Sequence, residues 1–247
     1  MTTTGSRPET DRNKTDRNDD PTTEPGGSSA PAPMVWDLPL RLFHWSLAIA
    51  VGISIYTGLD GGFYEMDWHV TSGYVVLGLL IFRLLWGIFG PRHARIGALV
   101  NGPRALWHWL RGALRRRPPQ PIGHNPLAGW FTLVTLCALL LQAVTGLFAT
   151  DDIFISGPLR HLAPDEFLRW ATRMHRRGEW IVIGLVGLHL AALLVHRFLF
   201  REKLVGAMIT GRRKGAPVDA GIESQRLPLA VVLAAVAAGS TWYIVNL

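Results

Sequence analysis

Five stretches of this chain are predominantly apolar and about 20 residues long, the length a helix needs to cross about 30 Å of hydrocarbon. They run from Pro39 to Leu59, Trp68 to Gly90, Leu127 to Ala149, Arg177 to Phe200 and Leu227 to Asn246. The expected fold class is therefore an all-α membrane protein, a four-helix transmembrane bundle with a fifth transmembrane helix at the C-terminus. The first four stretches are rich in Leu, Ile, Val and Phe. The last, LPLAVVLAAVAAGSTWYIVNL, is dominated by Ala and Val and reads as an appendix.

Composition agrees with a membrane class. Of 247 residues 49% are hydrophobic and only 17% charged, and the mean hydropathy is +0.21, too apolar for a soluble domain of this size. The formal charge of +7 suggests nucleic acid at first sight. Its basic residues, however, cluster beside apolar runs rather than on an amphipathic surface, which points to a membrane surface and not to nucleic acid. The single cysteine, Cys137, lies inside an apolar run. That excludes an intramolecular disulfide and a Cys-x-x-Cys-His site for covalent haem attachment. Residues 1–33 contain no apolar core of a secretory signal and read as a disordered, solvated tail. The domain boundaries expected from these shifts are 34–214 for the four-helix domain, 215–226 for a linker and 227–247 for the extra helix.

Loop charge sets the expected orientation through the positive-inside rule. The connection after the second stretch carries Arg92, Arg95, Arg104, Arg111, Arg115, Arg116 and Arg117 with no acidic residue. The stretch after the fourth carries Arg201, Lys203, Arg212, Arg213 and Lys214. Both are expected to be cytoplasmic. The turn after the first stretch holds Asp60, Glu65 and Asp67 without Lys or Arg, as suits the opposite side. The N-terminus is then cytoplasmic and the C-terminus periplasmic. Within the long basic connection, Leu106, Leu110 and Leu114 recur at i+4 while Arg104, Arg111 and Arg115 project elsewhere. This pattern predicts an in-plane helix that anchors to the inner leaflet or docks a partner.

Four of the nine histidines fall at or inside the spanning stretches, His44, His69, His175 and His189, with His196 near a helix end. Ionisable side chains at membrane depth are costly and usually functional, and neutral imidazole is the commonest metal ligand. A lone interfacial histidine can equally be a hydrogen-bonded structural residue. Their spacing narrows the choice. His175 and His189 are 14 residues apart, within about 40° on one helix face but about 21 Å apart along it. That makes two sites at two depths and disfavours one compact metal centre. With the fourth helix running inward, His175 lies at the outer boundary beside His69, and His189 about 9 Å short of the inner one. His44 enters from the inner side to roughly 7 Å. The depth-matched pairs are His69 with His175 and His44 with His189. His196, two turns beyond His189, is the alternative inner ligand but lies shallower.

His93, His108, His124 and His161 fall in connections and read as surface residues, and Met66 and Met174 are alternative axial ligands or packing residues. Gly52, Gly58, Gly73, Gly78, Gly184 and Gly187 lie inside helices, where small residues admit a flat macrocycle or close helix packing. Arg41, Arg83, Arg173 and Arg176 sit at or near helix ends and suit either haem propionates or snorkelling anchors.

VWDLPLRLFHW, WHVTSGY, FRLLWGIFGPRHAR, GHNPLAG, TGLFATDD, MHRRGEW and GLHLAALLVHRF occur in this order over about residues 34–214. Together they resemble the prokaryotic cytochrome b561 family, which includes the cytochrome b subunits of nickel-iron hydrogenases. The resemblance implies a four-helix core in the bacterial inner membrane with two non-covalent b-type haems. Each would be ligated by two histidines, the positions matching His44, His69, His175 and His189. It also implies electron transfer between the quinone pool and a partner such as a periplasmic c-type cytochrome, a hydrogenase or a dehydrogenase. Such a chain is an electron-transfer cytochrome, and the membrane subunit of an oxidoreductase is one form the resemblance allows. The polar tail and fifth helix depart from shorter members. Two rival readings are a self-contained superoxide- or small-reductant:quinone oxidoreductase and a haem-free transporter. No convincing internal repeat supports the transporter.

Overall fold

A computed structural model describes residues 32–100, 102–114, 125–151, 155–199, 201–202, 204–213 and 221–247. Nearly all of the expected disordered tail, Arg115 to Arg117, His124 and the first half of the 215–226 linker lie outside the described residues. Seven helices make up the described fold: α1 Leu38–Asp60, α2 Phe63–Phe89, α3 Pro103–Leu114, α4 Pro126–Gly146, α5 Asp165–Phe198, α6 Leu204–Thr210 and α7 Leu227–Val245. Five of them, α1, α2, α4, α5 and α7, are long and apolar enough to cross a membrane.

Local chemistry fixes the helix ends. Asp37 caps α1, its Oδ1 accepting the Leu40 N–H at 2.8 Å, and Pro39 occupies the first turn, where a missing N–H costs nothing. Gly61 ends α1 at φ 66°, donating its N–H to the Thr57 carbonyl at 3.2 Å. This left-handed position suits glycine, and Gly62 then leads directly into α2. Asn125 caps α4 through the Ala128 N–H at 2.7 Å, again followed by proline. Helix α5 opens with Asp165 and Glu166 and closes with His196 and Arg197, the order its macrodipole favours.

α1 packs on α2, α2 on α4 and α7, and α4 on α5. Three apolar clusters stack along the bundle. One holds Leu40, Phe43, Phe82 and Trp86 near the start of α1, one holds Ala50, Val76, Leu80, Leu139 and Val182 in the middle, and one holds Leu77, Leu147 and Leu159. Outward residues such as Ile49, Ile181 and Val231 are 64%, 60% and 70% exposed, the apolar belt a bilayer covers.

Two features differ from the sequence expectation. α5 starts at Asp165, twelve residues before the apolar run, and its 34 residues span about 51 Å, well beyond a bilayer core. Its extra turns are amphipathic and bury Leu168 and Ala171. They also carry Thr172, whose hydroxyl accepts the Thr150 N–H at 3.1 Å, and Phe167, whose ring meets Phe148 at 5.1 Å. The second difference is that α7 is no appendix. Ala230, Leu233 and Ala237 are buried in the cluster of Phe43, Phe82 and Trp86. Small residues allow this close approach, which apolarity alone does not reveal. The segment before α7 also caps its neighbours. The Gln225 side-chain oxygen accepts the Leu38 N–H at 3.0 Å, and Arg226 donates to the Phe89 carbonyl at 2.8 Å.

Candidate functional site: two facing histidine pairs

The structure brings His44, His69, His175 and His189 together in two pairs. His69 on α2 faces His175 on α5, with ring centroids 5.9 Å apart and planes at 88°. His44 on α1 faces His189, also on α5, at 6.3 Å and 56°. Two nitrogens on opposite sides of one metal ion, each at about 2 Å, stand about 4 Å apart, and their ring centres lie somewhat further out. Both separations fit an iron held between two imidazoles.

Hydrogen bonding supports this fit for one pair and leaves room for it in the other. The Nδ1 of His69 lies 2.9 Å from the Ser54 carbonyl, and the Nδ1 of His175 lies 2.9 Å from the Gln142 carbonyl. A carbonyl only accepts, so each Nδ1 carries the proton and each Nε2 keeps its lone pair. A ring N–H donated to a backbone carbonyl is the common companion of metal ligation at the other nitrogen. A cavity of about 500 Å³ lies here, lined by both histidines with Met66, Tyr74, Arg176 and Glu179. The His44 ring meets Trp45 edge-on at 5.2 Å, and its Nδ1 is buried without a hydrogen-bond partner among the described residues. His189 stacks on Phe131 at 6.2 Å and 8°. A Cβ added at Gly52, Gly73, Gly184 or Gly187 would meet no atom within 4 Å. The apolar part of α5 itself is little packed, with 6% of it buried. Half-buried imidazoles beside open, apolar space form a donor set and a cradle that fit haem.

The remaining candidates separate. Arg176 lines the cavity of the His69–His175 pair, whereas Arg173 lines a neighbouring one of about 450 Å³ with Arg160 and Arg169. Arg41, one turn before His44, donates to the Ile209 carbonyl, and its Nε is buried without a partner among the described residues. Arg83 is 3% exposed and is turned to the Ala94 carbonyl at 2.9 Å. His196 pairs with Glu202 at 3.0 Å, and it is His189 whose ring faces His44. Met66 lines the cavity and Met174 does not. His108 and His161 are exposed and His93 is half-buried in a short turn. Gly78 approaches Thr241 of α7, so that glycine serves helix packing. Ser54, Phe131, Gln142 and Gly146 escaped sequence reasoning. Among them only the recurrence of Thr-Gly at 57–58 and 145–146 was a visible signal.

A sequence model of the family described as prokaryotic cytochrome b561 matches residues 35–211, more than half of the chain. The chain is also similar to a probable Ni/Fe-hydrogenase B-type cytochrome subunit of Azotobacter vinelandii, 26% identical over 212 residues, covering 72% of this chain and 87% of the relative. A subunit of the same description from Cupriavidus necator is 23% identical over 222 residues, covering 76% and 89%. The probable Ni/Fe-hydrogenase 1 B-type cytochrome subunit of Escherichia coli K12 is 24% identical over 214 residues, covering 72% and 89%.

Proposed function

We propose that this chain, which belongs to the prokaryotic cytochrome b561 family, binds two b-type haems and carries electrons across the membrane between a redox partner and the quinone pool. It is a multi-pass membrane b-type cytochrome of electron transfer. The observation that carries the finer reading is the pairing of His69 with His175 and of His44 with His189 at two levels of α5.

Haem b, when bound, supplies a one-electron couple. The protein contributes ligands, orientation and exclusion of water. His69 and His175 present Nε2 because their Nδ1 protons are committed to the Ser54 and Gln142 carbonyls. His44 and His189 supply the second ligand pair, with Phe131 holding the His189 ring in place. Arg176, which lines the cavity of the first pair, and Arg41, whose Nε has no partner among the described residues, are the arginines suited to propionate carboxylates, with Arg173 behind the first site. Held by two histidines each, the haems would supply outer-sphere electron transfer rather than oxygen binding.

Loop charge supports an orientation with the α1–α2 turn outside and the arginine-rich connections inside. On that reading the His69–His175 site meets a periplasmic donor and the His44–His189 site serves quinone. The relatives' descriptions as Ni/Fe-hydrogenase subunits favour a hydrogenase as that donor. The test is a dithionite-reduced optical spectrum with haem quantification on the purified full chain. Two haems per chain are expected, falling to one in His69→Ala and to the other one in His44→Ala. A content near zero sinks the reading. Turnover of small reductants by the chain alone would instead indicate a self-contained oxidoreductase.

A further inference from the structure

Two five-residue segments on different helices treat the His69–His175 pair in the same way. They are Ser54-Ile55-Tyr56-Thr57-Gly58 on α1 and Gln142-Ala143-Val144-Thr145-Gly146 on α4. In each, the carbonyl of the first residue accepts the imidazole Nδ1–H at 2.9 Å. In each, the glycine four residues on lies against the same ring. A Cβ on Gly58 would stand 3.0 Å from His69 Cε1, and one on Gly146 would stand 2.9 Å from His175 Cε1. The intervening threonine donates its hydroxyl back along the helix, to Ile53 and Leu141 respectively, at 2.7 Å in both.

The first residue of each segment also reaches the histidine's own backbone. Gln142 Nε2 donates to the His175 carbonyl at 2.9 Å. Ser54 does so through a relay: its hydroxyl bonds the Ser72 hydroxyl at 2.7 Å, and Ser72 donates to the His69 carbonyl at 3.0 Å. His175 is thus gripped at ring and backbone by one residue of the neighbouring helix, and His69 by Ser54 of the neighbouring helix together with Ser72 of its own.

Helix geometry explains the sequence requirement. A carbonyl inside a helix already accepts the N–H four residues later, and a second donor reaches it only if residue i+4 has no side chain in the way. Glycine meets that condition. A threonine back-bonded to the preceding turn bends the helix locally and helps expose the neighbouring carbonyl. Segments of five residues are too short to register as a repeat in the sequence.

Resting on the reading that His69 and His175 share one haem, we propose that these segments are twin clamps whose Gly58, Gly146, Ser54 and Gln142 are positioning residues that set that haem's potential. A ring N–H held by a carbonyl makes the opposite nitrogen a stronger donor, which favours the oxidised metal and lowers the potential. The other pair lacks the device, since His44 Nδ1 has no partner among the described residues. The clamps therefore act on one site and leave the other alone.

Redox titration of the purified full chain tests this, with the His69–His175 haem identified as the one lost in His69→Ala. A methyl at Gly146 must push the His175 ring off its carbonyl. Gly146→Ala is expected to raise that midpoint by up to a tenfold change in the oxidised-to-reduced ratio, about 59 mV for one electron. The other midpoint should stay in place, and Gly58→Ala should act in the same direction with a smaller shift. Gly239→Ala on α7, where a Cβ meets open space, is the control and should move neither. Should Gly146→Ala lose the haem outright, Gln142→Met decides, because it removes the amide grip without adding bulk at the ring. Two haems per chain with both midpoints unmoved in Gly58→Ala and Gln142→Met overturn the clamp. Fewer than two haems in the unmodified chain instead overturn the di-haem reading.

Discussion

Asp37 and Trp86 join the start of α1 to the last turn of α2 through one oxygen: Asp37 Oδ1 accepts the indole N–H at 3.1 Å while also capping α1 at Leu40. Both residues are buried, Asp37 at 1% and Trp86 at 0% exposure. Losing the carboxylate therefore removes a helix cap and strands a buried donor. Caps are worth about 1 kcal/mol and an unsatisfied buried group roughly 1–3 kcal/mol. Asp37→Ala is expected to lower stability by about 2–4 kcal/mol, read as an earlier unfolding midpoint in detergent. A midpoint within error of the parent would contradict the linkage.

Burial pushes the Asp37 carboxyl above its ordinary value of 3.8, outweighing the lowering by the Leu40 and Trp86 hydrogen bonds and by the nearby Arg83 charge. A group that holds its proton more tightly in the folded state stabilises fully below its unfolded pKa, and that contribution is lost as pH rises through the raised value. Asp37→Asn keeps an acceptor oxygen but cannot titrate. Its melting temperature is expected to fall less than the parent's between pH 3.8 and the raised value, and parallel curves would refute the assignment.

Helix α7 and its lead-in tie together the ends of α1 and α2 that adjoin His44. Truncation after Gly221 removes the Gln225 acceptor of the Leu38 N–H, the Arg226 donor to Phe89 and the Ala230–Ala237 packing surface. In a bilayer apolar contact alone gives little, so packing and hydrogen bonds, each about 1 kcal/mol, carry the effect. The truncated chain is expected to melt several degrees lower and to lose the His44–His189 haem before the other on heating. Differential loss is followed by the reduced spectrum.

His196 is engaged with Glu202 near the C-terminal end of α5. His196→Ala is expected to keep two haems with unshifted midpoints, whereas His189→Ala keeps one. Haem stoichiometry distinguishes the two, and loss of a haem in His196→Ala would reassign the partner of His44.

Topology is testable without the cofactor. A periplasm-active reporter fused after Leu247 should be active and one fused within the connection after α2 silent, given the arginines there. The reverse pattern would invert the membrane orientation and the assignment of sites to its faces.

Much of this molecule is legible along the chain because the bilayer imposes length and polarity rules that act residue by residue. Apolar runs located all five spanning helices. Helix rise and direction alone grouped the histidines by depth, since position along a rigid helix follows from counting. What the count could not reach depends on the neighbour across the interface. The extension of α5 back to Asp165 is stabilised by Thr150 and Phe148, which lie outside the helix. The integration of α7 depends on small side chains meeting Phe43 and Trp86, and the use of Arg83 at the Ala94 carbonyl depends on a turn after α2.

The five long apolar helices and the positions of His44, His69, His175 and His189 along them were legible in sequence alone, because hydrophobic length and helix rise are local properties. Only the tertiary structure decided that Ser54 and Gln142 offer their carbonyls to His69 and His175, while His44 Nδ1 finds no partner among the described residues. Those bonds arise from residues on other helices, and one added methyl at Gly146 would reach the His175 ring. Two histidine pairs are thereby made chemically unequal by side chains and backbone atoms of the helices around them.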